Sequence, residues 1–125
     1  MATILVVDDR AANRDFLATL LGHRGHQAHA AADGAEALAL LETVRPQLVI
    51  TDILMPTMDG YEFVRRLHEI PEFAGVPVIF FTAHYREHEA RQLARTCGIE
   101  TVLMKPCEPD KLLSTVEHLL GSHPM

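Results

Sequence analysis

The feature that most constrains this 125-residue chain is a repeated alternation between short apolar runs and longer amphipathic segments. Most of the apolar runs are rich in β-branched side chains, which is typical of strands that are buried on both faces. The segments between them carry apolar residues three and four positions apart, which is typical of helices packed on one side. This alternation predicts an α/β fold with a parallel sheet covered by helices on both faces.

We predict strands at residues 3–7, 26–31, 47–51, 76–81 and 101–104. The second strand is alanine-rich and is predicted mainly because helical patterns flank it. A helix follows each strand: the first has an apolar face of Ala12, Phe16, Leu17, Leu20 and Leu21, and the others cover residues 34–44, 60–70, 84–97 and 109–120. The (βα)5 order predicts one doubly wound domain over residues 1–121 with right-handed crossovers, and residues 122–125 as a tail or the start of a linker.

Composition excludes several classes of protein. A hydrophobic content of 48% with 22% charged residues is typical of a globular domain and not of a disordered chain. The net charge of -6 without a basic run argues against direct binding of nucleic acid. No apolar segment has the length of a membrane span, and no signal peptide is recognisable, so we predict a cytoplasmic protein without membrane insertion. Cys97 and Cys107 lack metal-ligand spacing and are predicted to be free thiols.

Polar side chains stand directly after four of the five predicted strands. Asp8 and Asp9 follow the first strand, and Asp52 follows the third. Thr82 follows the fourth strand, and Lys105 follows the fifth. In open parallel sheets, ligands bind outside the carboxyl ends of the strands, so these side chains are predicted to share one site.

Three carboxylates in one small site repel one another. At a separation of ~4 Å and an effective dielectric constant of ~20, each pair costs about 4 kcal/mol. An all-oxygen set of ligands suits Mg²⁺, which can offset this repulsion. With a metal bound, Asp52 can act as a nucleophile toward phosphorus, while Lys105 and the Thr82 hydroxyl stabilise phosphoryl oxygens.

Each of these residues also has an ordinary structural explanation. Asp9 can cap the first helix, Asp52 can begin a loop, and Lys105 can be a solvated surface residue. Because the groups coincide at four strand ends, we favour the shared site over separate explanations.

At this point the chain resembles, over essentially its whole length, the receiver domain of two-component response regulators. The matching motifs are Val6-Val7-Asp8-Asp9, Asp52-Ile53-Leu54-Met55-Pro56 with Asp59-Gly60, Phe81-Thr82-Ala83 and Lys105-Pro106. The resemblance implies a flavodoxin-like sheet with strand order 2-1-3-4-5. It also implies a Mg²⁺ site, in which Mn²⁺ could substitute, with Asp9 and Asp52 as direct ligands, Asp8 acting mainly through water, and the Leu54 carbonyl as a further ligand.

The resemblance further implies a phosphorylation switch. Asp52 would be the phosphoacceptor, and Lys105 would pair with the phosphoryl group. Thr82, followed by Ala83, would be the switch hydroxyl that moves toward it. The peptide bond between Lys105 and Pro106 is expected to be cis.

Three positions depart from the family pattern. Val102 replaces an aromatic residue whose rotation often accompanies that of the threonine. Leu54 and His84 occupy the two positions that influence how fast water removes the phosphoryl group. Our hypothesis is that the apolar side chain of Leu54 screens the attacking water and lengthens the life of the phosphorylated state.

The implied partners are a histidine kinase or phosphotransfer protein as donor and an effector domain in the same or another chain. The last two helices and the strand between them are predicted to form a surface for output or homodimer contact. The resemblance implies self-phosphorylation and slow autodephosphorylation, without turnover of an external metabolite.

Two alternatives remain open: a receiver-like module that binds without phosphate, and a phosphohydrolase with an aspartyl nucleophile, which would usually carry an acid where Leu54 stands.

Residues 84–88 match the His-x-x-Glu-His pattern of inverted zinc proteases. On a helix, His84 and His88 would share one face. Because the pattern follows Thr82 directly and no third ligand is suggested, we favour solvent-facing histidines near the start of a helix.

Overall fold

Five parallel strands form a single sheet in the computed structural model, which describes residues 2–121 of the chain. The strand order β2-β1-β3-β4-β5 confirms the predicted flavodoxin-like topology. The strands are β1 (Thr3–Val7), β2 (Gln27–Ala31), β3 (Leu48–Thr51), β4 (Val78–Thr82) and β5 (Thr101–Met104). The helices are α1 (Ala11–Gly22), α2 (Gly34–Val44), α3 (Gly60–Glu69), α4 (Glu87–Thr96) and α5 (Pro109–Gly121), with a short 3-10 helix at Pro71–Phe73. The proposed tail at residues 122–125 lies outside the described part.

The sheet has a hydrophobic core on each face, which explains why the strands are apolar at nearly every position. Successive residues of a strand point to opposite faces, so Leu5 packs with α2, α3 and α4 while Ile4 packs with α1 and α5. In β3, Val49 packs on the same face of the sheet as Leu5, and Ile50 packs on the same face as Ile4. This two-sided burial fixes the strand register and therefore the position of every strand end.

The fourth helix begins three residues later than predicted. Residues 83–86 form bends and an extended residue, and α4 starts at Glu87. The backbone N–H of Arg86 donates to the Glu89 side chain at 3.1 Å, which stabilises this later start. His84 therefore precedes the helix and does not share a helix face with His88. The prediction of a helix over residues 84–97 was wrong at its beginning, and the protease-like pattern lacks the helix that it requires.

Two details of α1 also differ from the sequence predictions. The N-cap position is Arg10, and within the described residues no side chain caps the first turn, so Asp9 does not act as the cap that the sequence suggested. Leu17 and Leu21 are fully buried, but Phe16 is 43% exposed. The buried face of α1 is therefore narrower than predicted and does not include Phe16.

None of the helices within residues 2–121 combines the length and apolar character needed to cross a membrane.

Candidate functional site

The carboxyl ends of β1 and β3 place three carboxylates together. Asp8, Asp9 and Asp52 each offer one oxygen, and these oxygens lie within 4.8 Å of one another. β1 and β3 are adjacent strands in register, so their ends meet at the same edge of the sheet. Asp8 and Asp52 are buried, while Asp9 is exposed. Two carboxylates thus face the interior and one faces solvent, an oxygen-only set that could hold a hard divalent cation.

Lys105 lies between the two buried carboxylates. Its Nζ is 2.6 Å from Asp8 Oδ2 and 2.9 Å from Asp52 Oδ2. The ammonium also lies 5.3 Å from the centre of the Phe81 ring, a cation–π contact at the end of β4. With the lysine side chain only 13% exposed, the three charged groups form a nearly buried network. Lys105 is therefore the counter-ion of the acidic cluster in this structure.

Asp52 is held by the residues that follow it. Its Oδ1 accepts a hydrogen bond of 2.7 Å from the backbone N–H of Ile53. The N–H of Gly60 donates to the Ile53 carbonyl at 2.7 Å, which folds the connecting loop back over the strand end. A Cβ at Gly60 would overlap the Asp52 carbonyl oxygen, so only glycine fits there. The sequence pattern included Gly60 as part of a motif but did not show this close approach.

The same loop is tied to the start of α2. Gly34 donates its backbone N–H to the Met58 carbonyl at 3.0 Å. A Cβ at Gly34 would lie 2.9 Å from Met58 Cγ, from the Met58 carbonyl oxygen and from Phe63 Cβ. Sequence reasoning treated Gly34 only as the beginning of a helix. Its contact with the loop depends on a pairing of segments that are distant along the chain.

Thr82 is buried at the end of β4, and its Oγ1 accepts a hydrogen bond of 3.2 Å from the backbone N–H of His84. Ala83, between them, is exposed. The His84 side chain returns toward the cluster and places Nε2 3.8 Å from Asp52 Oδ2. The imidazole is thus the second nitrogen-bearing side chain near the Asp52 carboxylate, after that of Lys105.

The other two positions that depart from the family pattern lie in contrasting environments. The Leu54 residue is 47% exposed, and Val102 is buried in the core between the sheet and α4. Valine has no aromatic ring, so rotation of a ring at position 102 cannot accompany a movement of Thr82. The peptide bond between Lys105 and Pro106 is cis, as the resemblance implied.

The two cysteines are free and partly buried. Burial raises the pKa of the Cys97 thiol and that of the Cys107 thiol, so little of either is present as the reactive thiolate near neutral pH. Both cysteines are free thiols in the structure, as the sequence predicted, and the raised pKa values disfavour a reactive role for Cys107 beside Lys105.

Thr57 adopts a backbone conformation that is unfavourable for a β-branched residue. Its φ is 69°, and the N–H of Met58 donates to the Pro56 carbonyl at 2.7 Å, which closes a tight turn around it. Turns of this kind with positive φ are strained for any residue that has a Cβ. The loop beside Asp52 therefore stores strain at an exposed position.

Replacing Thr57 by glycine is expected to raise the free energy of unfolding by about 1 kcal/mol, because glycine relieves the strain and only part of this gain is lost to the greater freedom of the unfolded chain. Urea denaturation of the two proteins measures the difference. Thr57→Ala keeps a Cβ and is the control, for which no comparable gain is expected. Equal stabilities of the glycine and alanine variants would contradict a strained turn.

The fold and the cluster define an α/β protein with an acidic site at the carboxyl edge of its sheet. Comparison with known proteins gives the family. The sequence profile of the response regulator receiver domain matches residues 4–117, and the chain belongs to this family.

Relatives match the chain over nearly its whole length. The response regulator Rre1 of Synechocystis is 37% identical over 95% of this chain, which spans 52% of Rre1. Protein PilH of Pseudomonas aeruginosa is 32% identical over 97% of this chain and 99% of its own length. The crystal structure of the chemotaxis protein CheY4 of Vibrio cholerae has a TM-score of 0.88 at 33% identity, covering 95% of this chain and 98% of CheY4. PilH and CheY4 are of about the same length as this chain, and Rre1 is almost twice as long.

Family membership supports the general prediction of function, which is that of a signalling module. The chain is a receiver domain of two-component signal transduction, a class of signalling modules that work with histidine kinases and effector domains. Its acidic cluster is consistent with the Mg²⁺ binding of this family. Receiver domains are generally not turnover enzymes, and the comparisons do not favour the alternatives of a phosphate-independent module or a hydrolase.

Proposed function

We propose that this domain is a phosphorylation-controlled switch that accepts a phosphoryl group on Asp52. The observation that carries the proposal is the buried network in which Lys105 bridges Asp52 and Asp8 at 2.9 and 2.6 Å. This network places a buried carboxylate beside the cation and the further acids that phosphoryl transfer to an aspartate would use. The donor would be the phosphohistidine of a histidine kinase or phosphotransfer protein.

In the proposed reaction, a carboxylate oxygen of Asp52 attacks phosphorus as the bond to the donor histidine nitrogen breaks. Lys105 Nζ, already 2.9 Å from Asp52 Oδ2, lies close enough to neutralise a phosphoryl oxygen after transfer. The Thr82 hydroxyl at the next strand end is a second donor to the same group. The protein contributes mainly position and charge, as in other phosphoryl transfers.

The three carboxylates fit a divalent cation because they supply only oxygen ligands and an excess of negative charge. Asp8, Asp9 and Asp52 would hold Mg²⁺, or Mn²⁺ in its place, together with the Leu54 carbonyl. The bound ion would supply positive charge to the phosphoryl oxygens. Leu54, with its exposed side chain, is then placed to affect access of water, as our hypothesis on phosphoryl lifetime requires.

Phosphorylation would change the surface through Thr82. A shift of its hydroxyl toward the phosphoryl group would break the 3.2 Å bond from the His84 N–H. The non-helical residues 83–86 connect this bond to the start of α4, so the shift would bias the surface formed by α4, β5 and α5. An effector or a second copy of the domain would bind that surface. We propose that this occurs in the cytoplasm, where the domain slowly removes its own phosphoryl group.

Incubation of the purified protein with acetyl phosphate and Mg²⁺ tests the proposal. We expect a mass increase of one phosphoryl group in the wild-type protein and none in Asp52→Ala, because the acceptor oxygen is absent. Asp15→Ala, which removes an exposed carboxylate from α1, is the matched control and should be phosphorylated normally. Intact-mass spectrometry measures all three proteins.

Each alternative function predicts a different outcome of this experiment. A lack of any increase in the wild-type protein would contradict the switch and favour a phosphate-independent binding module. Rapid multiple turnover of acetyl phosphate would instead favour a hydrolase. An increase that persists in Asp52→Ala would place the acceptor elsewhere.

A further inference from the structure

Asp8 is the most completely held of the three carboxylates. Its backbone N–H donates to the Ala31 carbonyl at 3.1 Å, and its own carbonyl accepts a 2.8 Å bond from Arg14 Nη1. Its Oδ1 accepts a 2.9 Å bond from the Arg10 N–H, and its Oδ2 accepts the 2.6 Å bond from Lys105. With a side chain that is 1% exposed, the orientation of this carboxylate is set by protein groups and not by solvent.

Asn13, in the first turn of α1, adds a contact that differs in kind from the others. Its Nδ2 lies 3.3 Å from both carboxylate oxygens of Asp8, so one amide group bridges the two. The Lys105 contact to Asp8 is expected to weaken when a phosphoryl group on Asp52 attracts the ammonium. The Asn13 amide carries no charge that a phosphoryl group would attract, so its contacts with Asp8 are expected to persist.

The chemistry of the amide suits this place. An Asn side chain donates hydrogen bonds without adding positive charge. A lysine or arginine at position 13 would neutralise Asp8 and weaken the attraction of the cluster for a cation. A neutral donor orients the carboxylate and leaves its negative charge available.

We propose that Asn13 is a positioning residue for divalent-cation binding: it holds the Asp8 carboxylate in the orientation in which the three acids share one ion. The inference rests on the proposed function, because it requires that the cluster binds a cation. Groups that orient metal ligands commonly contribute about 10–100-fold to metal affinity. Asn13 was not singled out from the sequence, where it is one polar residue at the start of a helix.

The affinity for Mn²⁺ alone, measured from the electron paramagnetic resonance signal of the free ion, tests this role. Asn13→Leu keeps a similar volume but lacks hydrogen-bonding groups, and we expect its Kd for Mn²⁺ to be about 10-fold higher than that of the wild-type protein. Asn13→Gln retains the amide and should bind more tightly than Asn13→Leu. Thr19→Leu, an exposed polar-to-leucine change on the same helix, is the matched control and should bind as the wild type does.

Thermal denaturation without divalent cations separates positioning from folding. A loss of affinity in Asn13→Leu with an unchanged melting temperature supports the inference. Equal affinities of wild type and Asn13→Leu, or equal affinities of the leucine and glutamine variants, would overturn it. An equal loss of Mn²⁺ affinity in Thr19→Leu would also overturn it, since a leucine elsewhere on α1 would then have the same effect. Failure of the wild-type protein to bind Mn²⁺ would instead contradict the proposed metal site itself.

Discussion

Replacing Lys105 by methionine is expected to lower the free energy of unfolding by about 3–5 kcal/mol when no divalent cation is present, because it leaves two buried carboxylates without their counter-ion. Asp8 and Asp52 side chains are each 1% exposed, so water cannot replace the lost ammonium without a rearrangement. Methionine keeps most of the length and apolar character of the lysine stem, so the loss measures the charge and its hydrogen bonds.

Added Mg²⁺ should restore much of this stability. Lys105 and a divalent cation are alternative sources of positive charge for the same carboxylates, so the variant is expected to bind Mg²⁺ more tightly than the wild type. Ligand that binds only the folded state stabilises it in proportion to its affinity. Urea denaturation at several Mg²⁺ concentrations, together with calorimetric titration, measures both effects.

The chain has only one other lysine, Lys111, which is exposed on α5 and provides the matched control. Lys111→Met should change neither the stability nor the Mg²⁺ affinity appreciably. If Lys105→Met lost no more stability than Lys111→Met, the buried network would not contribute to folding. If its Mg²⁺ affinity were unchanged, the lysine and the cation would not compete.

Replacing Gly60 by alanine is expected to cost about 3 kcal/mol of stability or more, because the new Cβ would overlap the Asp52 carbonyl oxygen. That oxygen belongs to the backbone and also accepts a 2.8 Å bond from the Thr51 hydroxyl, so it cannot move aside as a flexible side chain would. To accommodate the new Cβ, either α3 must move outward or the end of β3 must shift. Both changes displace Asp52, so the yield of phosphorylation by acetyl phosphate should fall as well.

Gly22→Ala is the control for a general effect of glycine removal. Gly22 ends α1, and a Cβ there would meet nothing within 4 Å. Alanine at a helical position is favoured over glycine by about 0.5–1 kcal/mol, so this variant should be as stable as the wild type or slightly more stable. A Gly60→Ala protein with wild-type stability and phosphorylation would contradict the close packing of the loop against Asp52.

Much of the fold could be read from local sequence patterns. Alternating apolar runs and helical faces gave the order of the strands and helices, because side-chain burial repeats every two residues in a strand and every three to four in a helix. The apolar pattern did not fix where each helix begins. The start of α4 depends on Arg86 and Glu89, and the exposure of Phe16 depends on how α1 lies on the sheet; neither appears in the apolar pattern alone.

The sequence by itself determined which chemical groups stand at the strand ends, since parallel strands joined by right-handed crossovers bring those ends to one edge. Only the tertiary structure decided how the groups contact one another. Lys105 bridges Asp8 and Asp52, which are 97 and 53 residues away along the chain. Asn13 and Gly60 likewise acquire their roles through distances of a few ångströms between packed elements. Hydrogen bonds and steric overlap depend on those distances, and local sequence patterns do not contain them.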